Sequence, residues 1–429
     1  MVPLKQSYVC SCGIMVRVVT AAFAIAIALV LVIFATQPMQ AQTFQIIHTF
    51  SGGQDGAYPT AGVTWRAGNL YGTTSSGGNY GGSCGNLGCG TVFKLSHKGS
   101  GWTLNPLYDF VGGDDGSNPT ARVTFGADGT LYGAAYNGGP NGFGTVFNLR
   151  PFPTVCRTAL CPWMKIVLFS FNGTDGAYPG NGDLIFDQAH NVYGTTAAGG
   201  NGDHGTAYEL TPSGTESRLY SFGADGDPPS SGVILDNAGN LYGTALGGAL
   251  GGGTVYQLSP IDGGWTETVL VHFQDDSNGD YPLAGLIFAP GGGALSLYGT
   301  TSDAGSSSGT AFELTSNGGW MLNTLYRFTG TFNDRCGPQA SLVMDAAGNL
   351  YGTTYCDGAN NAGTVFKLTP SSPYWTYTSL HDFTGGSDGA NPVSSVEFDG
   401  DGNLYGTAYR GGTGSSCSGG CGVVWEITP

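Results

Sequence analysis

The amino-acid sequence predicts an all-β chain: a seven-bladed β-propeller with four antiparallel strands per blade, closed into a ring by the N-terminal strand. Three observations predict it. A phrase of the form Leu-Tyr-Gly recurs seven times, at Leu70-Tyr71-Gly72, Leu131-Tyr132-Gly133, Val192-Tyr193-Gly194, Leu241-Tyr242-Gly243, Leu297-Tyr298-Gly299, Leu350-Tyr351-Gly352 and Leu404-Tyr405-Gly406. Its tyrosines are 61, 61, 49, 56, 53 and 54 residues apart, just beyond the roughly 20–50-residue period of propellers and other repeat arrays. Each repeat carries four short strand signals, the mark of a propeller blade. The phase of the repeat then splits one blade between the two ends of the chain, which leaves no open end.

Residues 1–41 read as a secretory signal. Lys5 and Arg17 precede an uncharged apolar run over 18–35, and Thr36-Gln37-Pro38-Met39-Gln40-Ala41 follows. That is the charged, apolar and small-residue order of an export signal, with cleavage expected after Ala41. Met39 fits poorly the small residue wanted two positions earlier, and the run approaches the ~20 residues that span a bilayer. The alternative is therefore an uncleaved N-terminal anchor. Neither Cys10 nor Cys12 follows the apolar run, which argues against a lipid-modified cysteine. Residues 42–429 then form a single domain.

That domain opens with a lone outer strand over 44–50. Each repeat begins with a short apolar run, such as Gly62-Val63-Thr64-Trp65, Arg122-Val123-Thr124-Phe125, Asp183-Leu184-Ile185-Phe186 or Ser395-Val396-Glu397-Phe398. A tight turn follows, as in Asp236-Asn237-Ala238-Gly239-Asn240, with the Asp, Gly and Asn that hairpins need for positive φ. The Leu-Tyr-Gly strand is second. A glycine-rich loop leads to the third strand, Thr91-Val92-Phe93-Lys94-Leu95 and its copies at 145, 206, 254, 310, 364 and 423, with the period-two alternation of a sheet. The fourth ends in a fixed Phe: Phe50, Phe110, Phe171, Phe222, Phe273, Phe328 and Phe383. In five copies Trp opens it (Trp102, Trp163, Trp265, Trp320, Trp375), and these aromatics read as blade-to-blade core, not as platforms for sugars. The chain closes on a third strand over 423–427, so one strand from the front completes three from the back. A linear β-solenoid is the rival, but its repeats are shorter and have no reason to be phased for closure.

Composition agrees. Seventy-six glycines are too many for helices, where each costs about 1 kcal/mol, and they lack the collagen period. They alternate with apolar, aromatic-rich runs, which argues against disorder. The formal charge of −16 becomes −18 once Lys5 and Arg17 leave with residues 1–41. Nucleic acid is excluded as a partner, because its binding rests on Lys and Arg at phosphates. Membrane contact is expected only through 18–35, if uncleaved. Neutral glycans, cations or a basic protein surface remain as partners of a monomer.

Eight cysteines follow residue 41: Cys84, Cys89, Cys156, Cys161, Cys336, Cys356, Cys417 and Cys421. An even number in an exported chain reads as disulfides. Cys84 and Cys89 share one Gly-rich loop, Cys417 and Cys421 another, and Cys156 and Cys161 an insertion. Cys336 and Cys356 are symmetric about the tip of a predicted hairpin, so antiparallel pairing would set them opposite each other. Zinc and redox sites have the wrong spacing and compartment.

The Leu-Tyr-Gly-Thr, Gly-Thr-Val-Phe and Asp-Gly-x-x-Pro phrases resemble the GloVer tandem repeat of "choice-of-anchor" bacterial surface proteins, across all seven repeats. The resemblance implies an exported, often surface-displayed protein, secreted or held at the cell surface or in the periplasm. It implies no activity and no catalytic residues.

Strand order puts the fourth-to-first connection and the second-to-third loop on one face. The connection carries Asp55-Gly56-Ala57-Tyr58-Pro59 and its copies. Calcium held by the ring of carboxylates is one reading; an Asp closing a turn in every blade is the expected one. Asp399-Gly400-Asp401-Gly402-Asn403 begins like a calcium loop but has Leu404 and Arg410 at its sixth and twelfth positions, where such a loop needs Gly and Glu. No metal and no cofactor are expected. From the Gly of Leu-Tyr-Gly to the Gly before the third strand, the loops span 18, 11, 11, 10, 10, 11 and 16 residues. The two long ones belong to repeats that become neighbours on closure, and function on a rigid scaffold concentrates in loops. Asn79, Tyr80, Asn86 and Arg410 are the candidate binding residues.

No catalytic residue is expected. Gly305-Ser306-Ser307-Ser308-Gly309 matches a hydrolase phrase by letter only. His48 and His381 fill a packing slot held elsewhere by Tyr108, Tyr220 and Tyr326, while His97, His190 and His204 fall in turns or loops without metal spacing. The expected function is a non-enzymatic glycan- or protein-binding module or surface scaffold. The alternative is a propeller-type polysaccharide lyase or glycoside hydrolase, which needs unrepeated acids, histidines or tyrosines converging at the central opening.

Overall fold

A computed structural model describes residues 42–99, 101–152, 163–180, 182–223, 228–274, 278–289, 295–304, 308–330, 335–371 and 375–429. Among them stand seven four-stranded antiparallel blades in a ring, six running from the axis outward in chain order and the seventh taking its outer strand from the start of the domain. Blade 1 comprises Thr64–Arg66, Asn69–Thr74, Thr91–Lys98 and Gly101–Asp109. The inner strands of blades 2 to 6 are Thr124–Phe125, Ile185–Phe186, Ile234–Leu235, Ile287–Phe288 and Val343–Met344. Blade 7 contains Glu397–Phe398, Leu404–Ala408 and Val423–Thr428, and its outer strand is Thr43–Thr49. Thr43 faces Thr428 and Thr49 faces Val423. The split blade closes the ring as expected.

Packing explains the repeated phrases. The Leu is core, with Leu70, Leu131, Leu241, Leu297 and Leu350 all fully buried. In five blades the Tyr hydroxyl closes the preceding turn by donating to its Asp, as Tyr242 does to Asp236 at 3.0 Å and Tyr351 to Asp345 at 2.9 Å. The Gly makes room for an aromatic of the third strand: a Cβ on Gly72 would stand 2.6 Å from Phe93 Cζ, and one on Gly406 2.3 Å from Trp425. The fixed Phe crosses to the next blade. Phe50 meets Phe93, Phe110 meets Phe147 and Phe222 meets Tyr256 at 5.0–5.3 Å. Each such burial contributes about 1.5–3 kcal/mol, and each aromatic pair about 0.5–1.5 more. Trp102 of blade 1 packs on Tyr405 of blade 7 at 5.9 Å, so it too is core between blades.

Four details differ from expectation. The inner strands pair over only two or three residues, because the preceding positions crowd the axis: a Cβ on Gly62 would lie 2.6 Å from the Ser395 carbonyl. A twenty-ninth strand, Ala177–Pro179, pairs with Val192–Ala198. It extends a bridge that other blades make singly, as at Ala57 with Ser76. His97 lies in a strand opposite Trp102, not in a loop. His48 and His381 do pack, His381 flat on Phe44 at 3.5 Å, but each also pairs with a turn carboxylate, Asp55 at 3.4 Å and Asp388 at 3.1 Å.

Disulfides join Cys84 to Cys89, Cys336 to Cys356 and Cys417 to Cys421. Cys156, Cys161, Ser306 and the signal region lie outside the described residues. No helix among the described residues is long and apolar enough to cross a membrane.

Candidate functional site

The loop face is built as the strand order required. Asp55 accepts the Ser51 N–H at 2.8 Å, and Asp115, Asp175 and Asp388 accept the equivalent N–H of Val111, Asn172 and Thr384 at 2.9 Å. These carboxylates therefore close turns, with Gly56 at φ 98° supplying the reversal. Asp399 is likewise engaged by the N–H groups of Asp401 and Asn403 and by Tyr405. No group of three or more His, Cys, Asp or Glu stands close enough to hold a metal ion among the described residues.

The two long loops converge on Gly52. The Tyr80 hydroxyl donates to its carbonyl. The Cys417–Cys421 disulfide lies against its Cα, where a Cβ would be 2.8 and 2.9 Å from the sulfurs. Asn79 is turned back on its own loop, accepting the Gly81 N–H at 2.7 Å. Asn86 is exposed in the short helical turn Gly85–Leu87. Arg410 is exposed, its guanidinium 5.4 Å over Tyr409. Tyr80 and the blade 7 disulfide thus meet, while the other three stand apart as surface side chains.

The axis holds more chemistry than the loops. A cavity of about 1240 Å³ runs between the inner strands. One wall is aliphatic, formed by Ile185, Ile234, Ile287 and Val343. The same cavity is lined by Arg122, Asp183 and Glu397. Arg122 sends Nε and Nη2 to Asp183 Oδ2 at 2.9 and 2.8 Å, and Nη1 to Glu397 Oε2 at 2.9 Å. The Trp65 N–H leans on the other Glu397 oxygen at 3.4 Å. One guanidinium therefore ties blade 2 to blades 3 and 7. The Asp183 charge raises the Arg122 pKa further. Burial holds the Glu397 carboxyl above the usual range, even though Arg122 pulls the other way.

These three residues are departures from the repeat. The slot of Arg122 and Asp183 holds Gly62, Gly232, Gly285, Ser341 and Ser395 in the other blades, and the slot of Glu397 holds Thr, Ile or Val. The other copies show that the ring is built without charge there. The signal was present in the sequence, in runs that read as apolar strands. Loop length varies elsewhere in the repeat, whereas these are departures in side chain.

The fold and its axis define a tandem-repeat β-propeller whose sevenfold pattern is broken by three charges at its centre. The chain belongs to the Gloeobacter/Verrucomicrobia repeat family, which matches residues 32–161, 162–331 and 291–429. No curated protein matches it significantly. Among solved structures it is similar to the putative oxidoreductase (glucose dehydrogenase) of Thermus thermophilus. That likeness has 13% identity and a TM-score of 0.43 over 90% of this chain and 100% of the other, and nothing about activity follows from it.

Proposed function

We propose that the protein is an exported, non-enzymatic binding module that receives a neutral glycan in its central channel. The observation that carries this reading is the convergence of Arg122, Asp183 and Glu397 in a cavity also lined by aliphatic side chains. Sugars present C–H faces and hydroxyls, and a cavity with apolar lining and a few fixed donors and acceptors answers both. Each carboxylate has lone pairs beyond those Arg122 uses. The acidic surface disfavours polyanionic chains. Export is supported by the N-terminal layout and by three disulfides, which persist in oxidising compartments.

A second reading, a polysaccharide lyase or hydrolase, gains from the same place. Asp183 and Glu397 are unrepeated acids that meet at the axis, and burial favours the protonated form of Glu397. Against it, Arg122 bridges both carboxylates, so neither stands free to move a proton. Incubating residues 42–429 with a polysaccharide panel, with retention and released oligosaccharides followed by mass spectrometry, separates the two. Retention without products supports the binding module. New oligosaccharides transfer the case to the enzyme. The absence of both refutes glycan recognition and leaves protein binding.

A further inference from the structure

The interface between blades 1 and 2 shows how this scaffold holds an ammonium group. Lys165, on the outer strand Met164–Ser170 of blade 2, is almost wholly buried. Its Nζ lies 2.8 Å from Asp115 Oδ1 and 4.7, 5.4 and 5.6 Å from the ring centres of Phe110, Tyr108 and Phe147. Ring quadrupoles attract a cation, most strongly where water is excluded, and the carboxylate balances its charge.

The interface between blades 5 and 6 repeats the aromatic part without the lysine. Phe328, Tyr326 and Phe366 occupy the positions of Phe110, Tyr108 and Phe147, and Tyr377 that of Lys165. The Tyr377 ring lies along Tyr326 at 5.0 Å and 13°. Beside this pair opens a cleft of about 450 Å³, lined also by Phe328, Asp357 and Asp382 and, among the described residues, by no Lys or Arg. Asp357 breaks the repeat, since blades 1, 2, 3 and 7 place Gly77, Gly138, Gly199 and Gly411 in its slot. Asp357 is only 7% exposed, and its Oδ1 accepts no hydrogen bond. A carboxylate buried without a cation is costly. Burial pushes this one up to about 6, against the smaller opposing pull of a hydrogen bond from Ser308. The titratable groups around it are Tyr326, Tyr377 and Asp382.

We propose that the cleft between blades 5 and 6 binds an organic ammonium ion, with the Asp357 carboxylate as counter-ion and Tyr326, Tyr377 and Phe328 as walls. Such an ion comes either as a small free amine or as a lysine side chain of another protein. A metal ion would find too few oxygen ligands and an aromatic wall.

Isothermal titration of the purified protein with choline, n-butylammonium, Nα-acetyl-lysine amide and calcium chloride at pH 8 tests this. At least one ammonium should bind with one-to-one stoichiometry. Its affinity should fall by about tenfold or more at pH 5, and by a similar factor in Asp357→Asn. Tyr377→Lys, which imitates blade 2, should occupy the cleft from within and abolish binding. Tighter binding of choline or butylammonium identifies a free amine, and tighter binding of the lysine amide a protein side chain. No ammonium binding, binding indifferent to Asp357→Asn, or saturable calcium in place of the amines overturns the proposal.

Discussion

Removing the Arg122 guanidinium is the sharpest test of how the axis is held. In Arg122→Ala, Asp183 and Glu397 keep their places but lose the cation that lies 2.8 and 2.9 Å away. Breaking a fully buried pair by deleting one partner costs about 3–5 kcal/mol. These side chains are 23–34% exposed, so water recovers part of that, and about 2–3 kcal/mol is expected. Over roughly 400 residues, at about 2.1 cal/mol/K each, the loss is a drop in Tm of ~3 °C. The sign with pH follows from the acids. Burial already holds the Glu397 carboxyl above its usual range, and without the opposing pull of Arg122 it rises further, so the folded state holds the extra proton and stability falls as pH rises through that range. The deficit should be full at pH 7 and shrink towards pH 4. Differential scanning calorimetry of parent and variant at both values measures it. A deficit equal at both pH values would mean that lost packing, not exposed charge, is the cost. The triple change Arg122→Ser, Asp183→Ser and Glu397→Val, which installs residues the repeat already uses, should melt within about 2 °C of the parent.

Other outcomes follow from the same packing. Asp357→Asn should remove the pH dependence this group imposes. Its raised pKa of about 6 makes the parent lose on the order of 2–3 kcal/mol between pH 4 and pH 7, so the variant should gain Tm at pH 7 and not at pH 4. Phe222→Ala empties the contact with Tyr256 across blades 3 and 4 and should cost about 3–5 kcal/mol in denaturant unfolding. Deleting residues 42–50 strips the outer strand of blade 7, and calorimetry should show a much lower or broadened transition. A product melting like the parent would mean that Thr43–Thr49 is not the closing strand.

The ring was legible because each blade is a reading of the others. Seven copies of one phrase fixed the blade number, and the offset between residue 44 and residue 427 revealed the closure. The turn role of Asp55 and its copies followed from the same redundancy, since a group present in every blade serves the fold. The central site escaped for the converse reason. Arg122, Asp183 and Glu397 lie 61 and 214 residues apart in sequence, and nothing local marks them as neighbours. Only the curvature of the ring brings blades 7, 2 and 3 within reach of one guanidinium. Asp357 was hidden similarly, as one side chain in a slot usually held by glycine. The extra strand Ala177–Pro179 depends on two backbone pairings instead of one, a distinction that composition does not encode.

The closing strand also sets a timetable. Thr43–Thr49 precedes every other strand of the ring, yet its partner Val423–Thr428 is the last of the ring's strands in chain order. From the first blade to the seventh, a segment carrying Phe44, Ile46 and Ile47 has nowhere in the ring to dock, and an unpaired apolar strand edge is a template for pairing with other chains. Assembly of this ring is thus exposed to self-association for the whole interval between the synthesis of these two strands. Threonines, a glutamine and a histidine interleave those apolar residues in the waiting strand, and they lower its tendency to pair with a copy of itself until the true partner arrives.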